Sequence, residues 1–510
     1  MAAGEPSLSM FSRAAHHQRY FWGAIGLALA IKVVIALLLP VTGDEAYFVQ
    51  YARNVDWGGF YDHPPMVGWL IWLTERIGTH PLLLRLPAIA TGLVLALGLY
   101  VLLRPVDEAK ARLVALIMLF SPVYLVGVLM TSDTGLLAFG FLSAVCLQLA
   151  LRHERPTLFL LAGVLLGLAF LSKYFAVLLG VAYLALMPIA GRRHAWGFVL
   201  LILAALPFGL LNLAWNYCHC WNHIMFNLFN RTGGGEFSLV GVAVYALILV
   251  YLFALPAWYL LRDQRFLRGA LRFRGVGALV LTGLIPLALF ALLAPMVDIG
   301  LHWVLLFVPL VMAAGIMLSH ADIAVSARFM GWFGLAHAVV VIALLTVPVQ
   351  WFDGRDIARD AVFYLEPGAY TDALAEFDAD VHATDSYSRA AVAGYYSGHH
   401  WSVFGTGSRH ARQDDTLTDW REHDGARMLF FSRRHEIDTA DLEPYFDAIT
   451  VERVSVKGQE FEVALADGFD YATYHDEVLR DIRDRYYAIP PYLPVGGCPF
   501  LERYFDDGSS

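Results

Sequence analysis

The residues able to do chemistry fall into a few short polar motifs set in apolar sequence. Gly43-Asp44-Glu45-Ala46-Tyr47 follows the first apolar run, and Tyr61-Asp62-His63-Pro64-Pro65 precedes the next. Together they put three carboxylates and a histidine on one short loop. Ionisable groups beside a membrane face are functional candidates by default. A carboxylate near a low-dielectric boundary is suited to take a hydroxyl proton as general base, a role open to Asp44 and Glu45. The plainer alternative is a helix-end charge facing water. Pro64 and Pro65 fix two φ angles and bias His63 to an extended conformation. Such a turn would also aim Tyr61, Asp62 and His63 at a ligand, whether a phosphate, a metal or sugar hydroxyls.

Four further positions extend the set. Thr131-Ser132-Asp133 lies between two apolar runs, where Asp133 either caps the next helix or serves as a second acid. Lys173 sits inside the apolar run 167–180, and a buried lysine is costly unless it reaches water or an anion. Arg231 ends an aromatic stretch and precedes Gly233-Gly234-Gly235. Lys173 and Arg231 suit a phosphate, arginine through its bidentate fork and lysine as a point charge. His302-Trp303 opens a late helix, either as an interface anchor or as a surface on which a sugar ring stacks. Cys218-His219-Cys220 with His223 lacks the usual zinc spacing and reads as structural or incidental. Four cysteines are too few for a disulfide scaffold.

The elements that must position these groups are mainly membrane helices. Of 510 residues, 58% are hydrophobic and 16% charged, well below the roughly 25% charge of soluble domains. About eleven apolar stretches approach the ~20 residues needed to span, near 20–42, 82–103, 112–130, 133–151, 157–172, 174–190, 195–215, 238–261, 277–296, 303–319 and 329–349. The first, Phe21–Val41, has no small-residue cleavage site after it and reads as a retained helix. With the N-terminus cytoplasmic, 15 lysines and arginines fall on inner segments. The outer loops then hold only Arg53, Arg76 and Arg231, with Lys173 at a boundary, which is the expected bias. This orientation puts Asp44, Glu45, Asp62, His63, Asp133, Lys173, Arg231, Asp298 and His302 at one outer face.

Residues 351–510 carry 31 acidic and 15 basic side chains, and the rest of the chain 14 and 21. The charge reversal divides a membrane domain, 1–350, with a first outer loop at 43–81, from a soluble domain, 351–510. An odd helix count puts the second outside. Strand-like runs at Arg427–Ser432, Ala448–Val456 and Phe461–Leu465 alternate with helix-like runs at Ala369–Phe377 and His475–Tyr486, giving an α/β reading.

The order of these motifs resembles that of membrane glycosyltransferases of the GT-C fold, in the branch of the lipid A aminoarabinose transferases and protein O-mannosyltransferases. The matching residues are Asp44-Glu45-Ala46-Tyr47, Phe60-Tyr61-Asp62-His63-Pro64-Pro65, Thr131-Ser132-Asp133, Leu171-Ser172-Lys173-Tyr174 and the aromatic loop ending at Arg231. They span roughly residues 20–350. The resemblance implies an inverting transfer of a sugar from a polyprenyl-phosphate donor to an acceptor outside the bacterial cytoplasmic (inner) membrane. The acceptor would be a glycolipid, a polysaccharide or a protein. It further implies Asp44 as base, Asp133 as a second catalytic acid, and His63, Lys173 and Arg231 as donor-phosphate contacts. Glu45, Tyr61, Asp62, His302 and Trp303 would be substrate contacts. His63 stands where the aminoarabinose branch has lysine. That branch binds a divalent metal through an acid, matched by Asp62, and a later histidine, which Phe226-Asn227-Leu228 lacks; a divalent metal at Asp62 therefore stays open, and no cofactor is required by the match. A transporter or flippase is the alternative, but transporters place ionisable groups near the midplane and often carry inverted repeats. Here the groups gather at one face and no repeat is evident. No nucleic-acid-binding feature is present.

Overall fold

The computed structural model describes residues 8–230, 237–273, 275–433 and 437–505. The chain divides into two compact units. One comprises Met1–Leu38, Leu84–Phe208 and Gly235–Leu344; the other comprises Leu39–Leu83, Gly209–Gly234 and Leu345–Ser510. The second thus joins the loop at 43–81 and a segment around 209–234 to the acidic C-terminal region.

The first unit is helical. Among the described residues, six helices are long and apolar enough to cross a membrane: Gln18–Leu38, Pro81–Leu103, Ser132–His153, Arg192–Cys218, Leu239–Tyr259 and His320–Thr346. Four apolar helices are shorter, at Pro156–Phe170, Ala176–Ala190, Gly277–Leu293 and Phe307–Met317. The sequence places a span over 112–130, but the helix Glu108–Phe120 stops and a short helix Pro122–Val126 follows. Proline cannot donate to the preceding turn, so Pro122 restarts the helix instead of continuing it. The chain is then irregular until Ser132. The helices Pro156–Phe170 and Ala176–Ala190 are likewise separated, and Lys173 lies in that break. Small residues bring helices together: a Cβ on Gly163 would lie 2.2 Å from the Leu201 carbonyl, and one on Gly167 2.2 Å from the Phe208 ring. This is the close backbone approach expected of small-xxx-small spacing.

The second unit contains a five-stranded sheet of β1 (Val381–Thr384), β2 (Ser402–Val403), β3 (Met428–Ser432), β4 (Phe446–Val456) and β5 (Gln459–Phe469), in the order β2-β1-β3-β5-β4. β1 pairs in parallel with β2 and β3, whereas β3–β5 and β4–β5 are antiparallel. The β4–β5 hairpin turns at Lys457-Gly458, both at positive φ, as two-residue hairpin loops require. The helix Tyr387–Ser397 connects β1 to β2. Phe404, Trp420, Phe430, Phe446, Phe469 and Tyr474 form the core of this unit.

A disulfide, Cys220–Cys498, closes the second unit. The pairing is long-range, 278 residues apart, and gives Cys220 the structural one of the two roles left open by the sequence. Around it the C-terminal segment pairs with the segment before it. Cys220 N–H donates to the Gly497 carbonyl (3.0 Å), Gly496 N–H to that of Tyr217 (2.8 Å) and Trp221 Nε1–H to that of Pro494 (2.8 Å). Disulfides persist in oxidising compartments.

Candidate active site

The three carboxylates of the first loop have three different environments. Helix Gly43–Arg53 begins with a capping box. Thr42 N–H donates to Glu45 Oε2 (3.2 Å) and Glu45 N–H to Thr42 Oγ1 (3.5 Å). Glu45 is fully buried, so its side chain serves the helix start. Asp44, one residue earlier, is exposed, and no ion pair or side-chain hydrogen bond engages it among the described residues. Gly43 permits this arrangement, because a Cβ there would come 2.1 Å from Ser388 Oγ. Tyr387 packs on Tyr47 (5.0 Å between centroids) and sits near Asp44. Burial, together with the Asp44 and Asp62 carboxylates, pushes the Tyr387 phenol up to about 12.

Asp62 is the third carboxylate, buried in a tyrosine–histidine cage. Tyr51 donates its hydroxyl to Oδ1, His63 Nδ1 lies 2.9 Å from the same oxygen, and His410 Nδ1 lies 3.8 Å from Oδ2. Burial opposes ionisation here. The neighbouring imidazoles and the Tyr51 hydroxyl outweigh it and hold the carboxyl well below the usual carboxylate range. The same arrangement raises Tyr51, through burial first and the Asp62 charge second. Tyr51 also stacks on Phe60 at 3.9 Å. His63, half-buried, packs edge-on against Phe48.

The turn carrying Asp62 is tied down at several points. Phe60 N–H donates to the His63 carbonyl (3.0 Å) and Tyr61 N–H to Gln413 Oε1 (2.8 Å). The Tyr61 hydroxyl accepts from Asn230 Nδ2 (3.0 Å). Tyr61 is itself buried. Gln413 and His410 belong to a short helix, Arg409–Gln413. A buried ion pair, Arg412–Asp415 (3.2 Å), and the hydrogen bond from Tyr487 to Asp415 (2.8 Å) anchor that helix. Burial pushes Asp415 up to about 6 against the pull of Arg412 and Tyr487. No spacing in the sequence marks His410, Arg412 or Gln413 as partners of residues 61 and 62, because the contacts are made across about 350 residues.

In the first unit, Lys173 and Asp133 find each other. Lys173 Nζ donates to both Asp133 oxygens, at 2.8 and 2.9 Å, and both side chains are partly exposed. Asp133 lies in the first turn of Ser132–His153, where a carboxylate also complements the helix dipole. Lys173 lies 5.4 Å above the Phe175 ring, and Phe175 meets Trp303 at 4.9 Å. Exposed His302 and partly buried Trp303 form a single 3₁₀ turn, Leu301–Trp303. Arg231 lies outside the described residues. A buried lysine not singled out from sequence, Lys32, donates to the Gly127 carbonyl (2.7 Å) at the break after Pro122–Val126.

A divalent metal does not suit the described donors at Asp62. One oxygen already receives Tyr51 and faces His63. His223, the histidine closest in sequence to Phe226-Asn227-Leu228, has both ring nitrogens engaged by protein groups. No group of three or more His, Cys, Asp or Glu side chains with metal-binding geometry occurs among the described residues.

The comparisons with known proteins agree with this architecture. The family described as dolichyl-phosphate-mannose-protein mannosyltransferase matches residues 62–215. The lipid A galacturonosyltransferase RgtD of Rhizobium johnstonii is 29% identical over 231 residues, covering 40% of this chain and 48% of RgtD. The chain therefore matches about half the length of that relative. ArnT from Cupriavidus metallidurans in the apo state superposes with a TM-score of 0.61 at 14% identity, covering 88% of this chain and 98% of ArnT. The ArnT structure bound to undecaprenyl phosphate gives the same TM-score and identity, covering 87% and 98%.

Proposed function

We propose that this multi-pass membrane protein of the GT-C glycosyltransferase fold moves a sugar from a polyprenyl-phosphate carrier to a hydroxyl-bearing acceptor, with Asp44 as general base. The observation carrying the reading is the division of labour in the first loop. Glu45 is spent on a helix cap and Asp62 on a buried cage, so Asp44 is the carboxylate open to a substrate. Abstraction of the acceptor proton by Asp44 and in-line attack on the anomeric carbon would invert it. Negative charge then develops on the leaving lipid phosphate. Lys173, oriented by Asp133, and Arg231 are the cations assigned to it, since fixed charges where charge develops lower the barrier. His63 is assigned to the donor side as a weaker grip than lysine, and His302 and Trp303 to substrate contact.

The membrane setting supports a lipid-linked donor, whose tail stays in the bilayer while its sugar reaches the boundary. We assign about eleven spans, the N-terminus to the cytoplasm, and the acidic C-terminal domain to the outer side of the inner membrane. The arginine bias of the opposite segments supports this orientation, as does the Cys220–Cys498 disulfide, which requires an oxidising compartment. The likeness to a lipid A galacturonosyltransferase makes a uronic acid the first donor sugar to test and a lipid A-type glycolipid the first acceptor. Purified protein is incubated with a panel of undecaprenyl-phosphate sugars and acceptors, and products are identified by mass spectrometry. Transfer from one lipid-linked donor is expected. Folded protein that transfers from none, yet moves a lipid-linked sugar across vesicles, would favour a flippase instead.

A further inference from the structure

The backbone at both ends of the turn around Asp62 is held by His223, a residue the sequence placed only beside a Cys-x-Cys run. His223 is fully buried. Its Nδ1 receives the side-chain amides of Asn216 (3.0 Å) and Asn212 (3.2 Å). Two donors at Nδ1 require that nitrogen to be the acceptor, which places the proton on Nε2. Nε2–H is then directed at two backbone carbonyls of the turn, Phe60 (2.6 Å) and His63 (3.0 Å). The His223 N–H itself donates to Asn216 Oδ1 (3.1 Å), and its ring stacks on Trp215 at 4.6 Å. Rotation and tautomer are thereby fixed, and burial lowers the imidazole to about 3, keeping it neutral.

Two further features adapt the surroundings to this contact. Gly58 and Gly59 bring the turn onto the aromatic stack: a Cβ on Gly58 would lie 2.4 Å from Trp215, and one on Gly59 2.5 Å from the His223 ring. On the other side, Cys220–Cys498 and the backbone pairing around it fix the segment that leads into His223. Buried carbonyls need donors, and here one imidazole supplies both ends of the turn.

We propose that His223 is a positioning residue: held by Asn212, Asn216 and the Cys220–Cys498 disulfide, it sets the backbone of residues 60–63 and so the placement of Asp62 and His63 for the transfer reaction. The proposal rests on the function assigned above. It touches no substrate and moves no proton. Its effect on turnover follows from geometry, since misplacement by about 1 Å can cost about 100-fold in rate.

The test uses the full-length protein in detergent, as wild type, His223→Gln, His223→Asn, Gly59→Ala and the Cys220→Ser/Cys498→Ser double variant. Glutamine returns a donor near the position of Nε2; asparagine reaches only that of Nδ1. Amide hydrogen exchange is read at residues 58–66, with Phe60 N–H as reporter, alongside transfer kinetics. Expected are faster exchange at Phe60 in His223→Asn, Gly59→Ala and the cysteine double variant, and near-wild-type exchange in His223→Gln. In kinetics, kcat should fall by about 100-fold in His223→Asn with the donor KM within a few-fold, and recover in His223→Gln. Equal behaviour of Gln and Asn, or unchanged exchange at Phe60 in both, would overturn the proposal. The exchange arm stands apart from the assigned function: a wild type that transfers no sugar refutes that function, while Phe60 exchange still judges His223.

Discussion

Replacing Asp62 probes the cage most sharply. Asp62→Ala removes the acceptor of the Tyr51 hydroxyl, whose side chain is fully buried, and the carboxylate facing His63 and His410. A buried donor left unsatisfied costs about 1–3 kcal/mol. His63 and His410 are partly exposed, so water replaces part of the contact they lose. The expected loss is about 3 kcal/mol of local stability. Asp62→Asn keeps the shape and one acceptor for Tyr51 and should lose about half as much. The assay is amide exchange at residues 47–66 with thermal unfolding in detergent. At about 3 kcal/mol, exchange through the opened state rises by about 100-fold. A change below about 0.5 kcal/mol in Asp62→Ala, the level of an ordinary surface substitution, would refute the cage. So would an Asn variant worse than the Ala variant.

Other outcomes follow from the same geometry. His223 has a folded pKa of about 3 against an ordinary value near 6.5, so the folded state binds fewer protons. Its contribution is complete above about pH 6.5 and is lost as pH falls towards 3, by up to about 1.4 kcal/mol per unit; Phe60 exchange measured against pH should show that slope, and His223→Gln should flatten it. Reduction of Cys220–Cys498 should lower the melting temperature of the second unit, consistent with a contribution of about 2–4 kcal/mol, measured by thermal unfolding with and without reductant. Lys173→Ala should reduce transfer by about 10-fold or more while Lys173→Arg retains part of it, because a charge at the leaving phosphate is the property at issue; kcat for both variants decides.

The sequence carried much of the membrane unit, and less of the site. Apolar runs of about 20 residues are legible because length and composition alone define a span, and the six long helices lie where those runs lie. The 112–130 run was not a single helix because Pro122 and Gly127 interrupt it, which an average over the window hides. β3, β4 and β5 are visible as strand-like runs. β1 and β2, at four and two residues, are too short to alternate. The motifs at 43–47 and 61–65 stood out by charge, but not their opposite fates. Glu45 is consumed by a helix cap, Asp62 by a cage, and only Asp44 remains open. His410 and Gln413 were invisible as site residues, and His223 stood out only beside the cysteines, because their partners are distant in the chain. The partner of Cys220, Cys498, was hidden for the same reason.

Asp44 is the residue proposed to take the proton from the acceptor hydroxyl. The direct measurement is single-turnover transfer from the undecaprenyl-phosphate sugar that the wild type uses, compared with Asp44→Asn at saturating donor and acceptor. A loss of about 10²–10⁴-fold in the transfer rate is expected, with binding of undecaprenyl phosphate unchanged. Transfer in Asp44→Asn within a few-fold of wild type would contradict it.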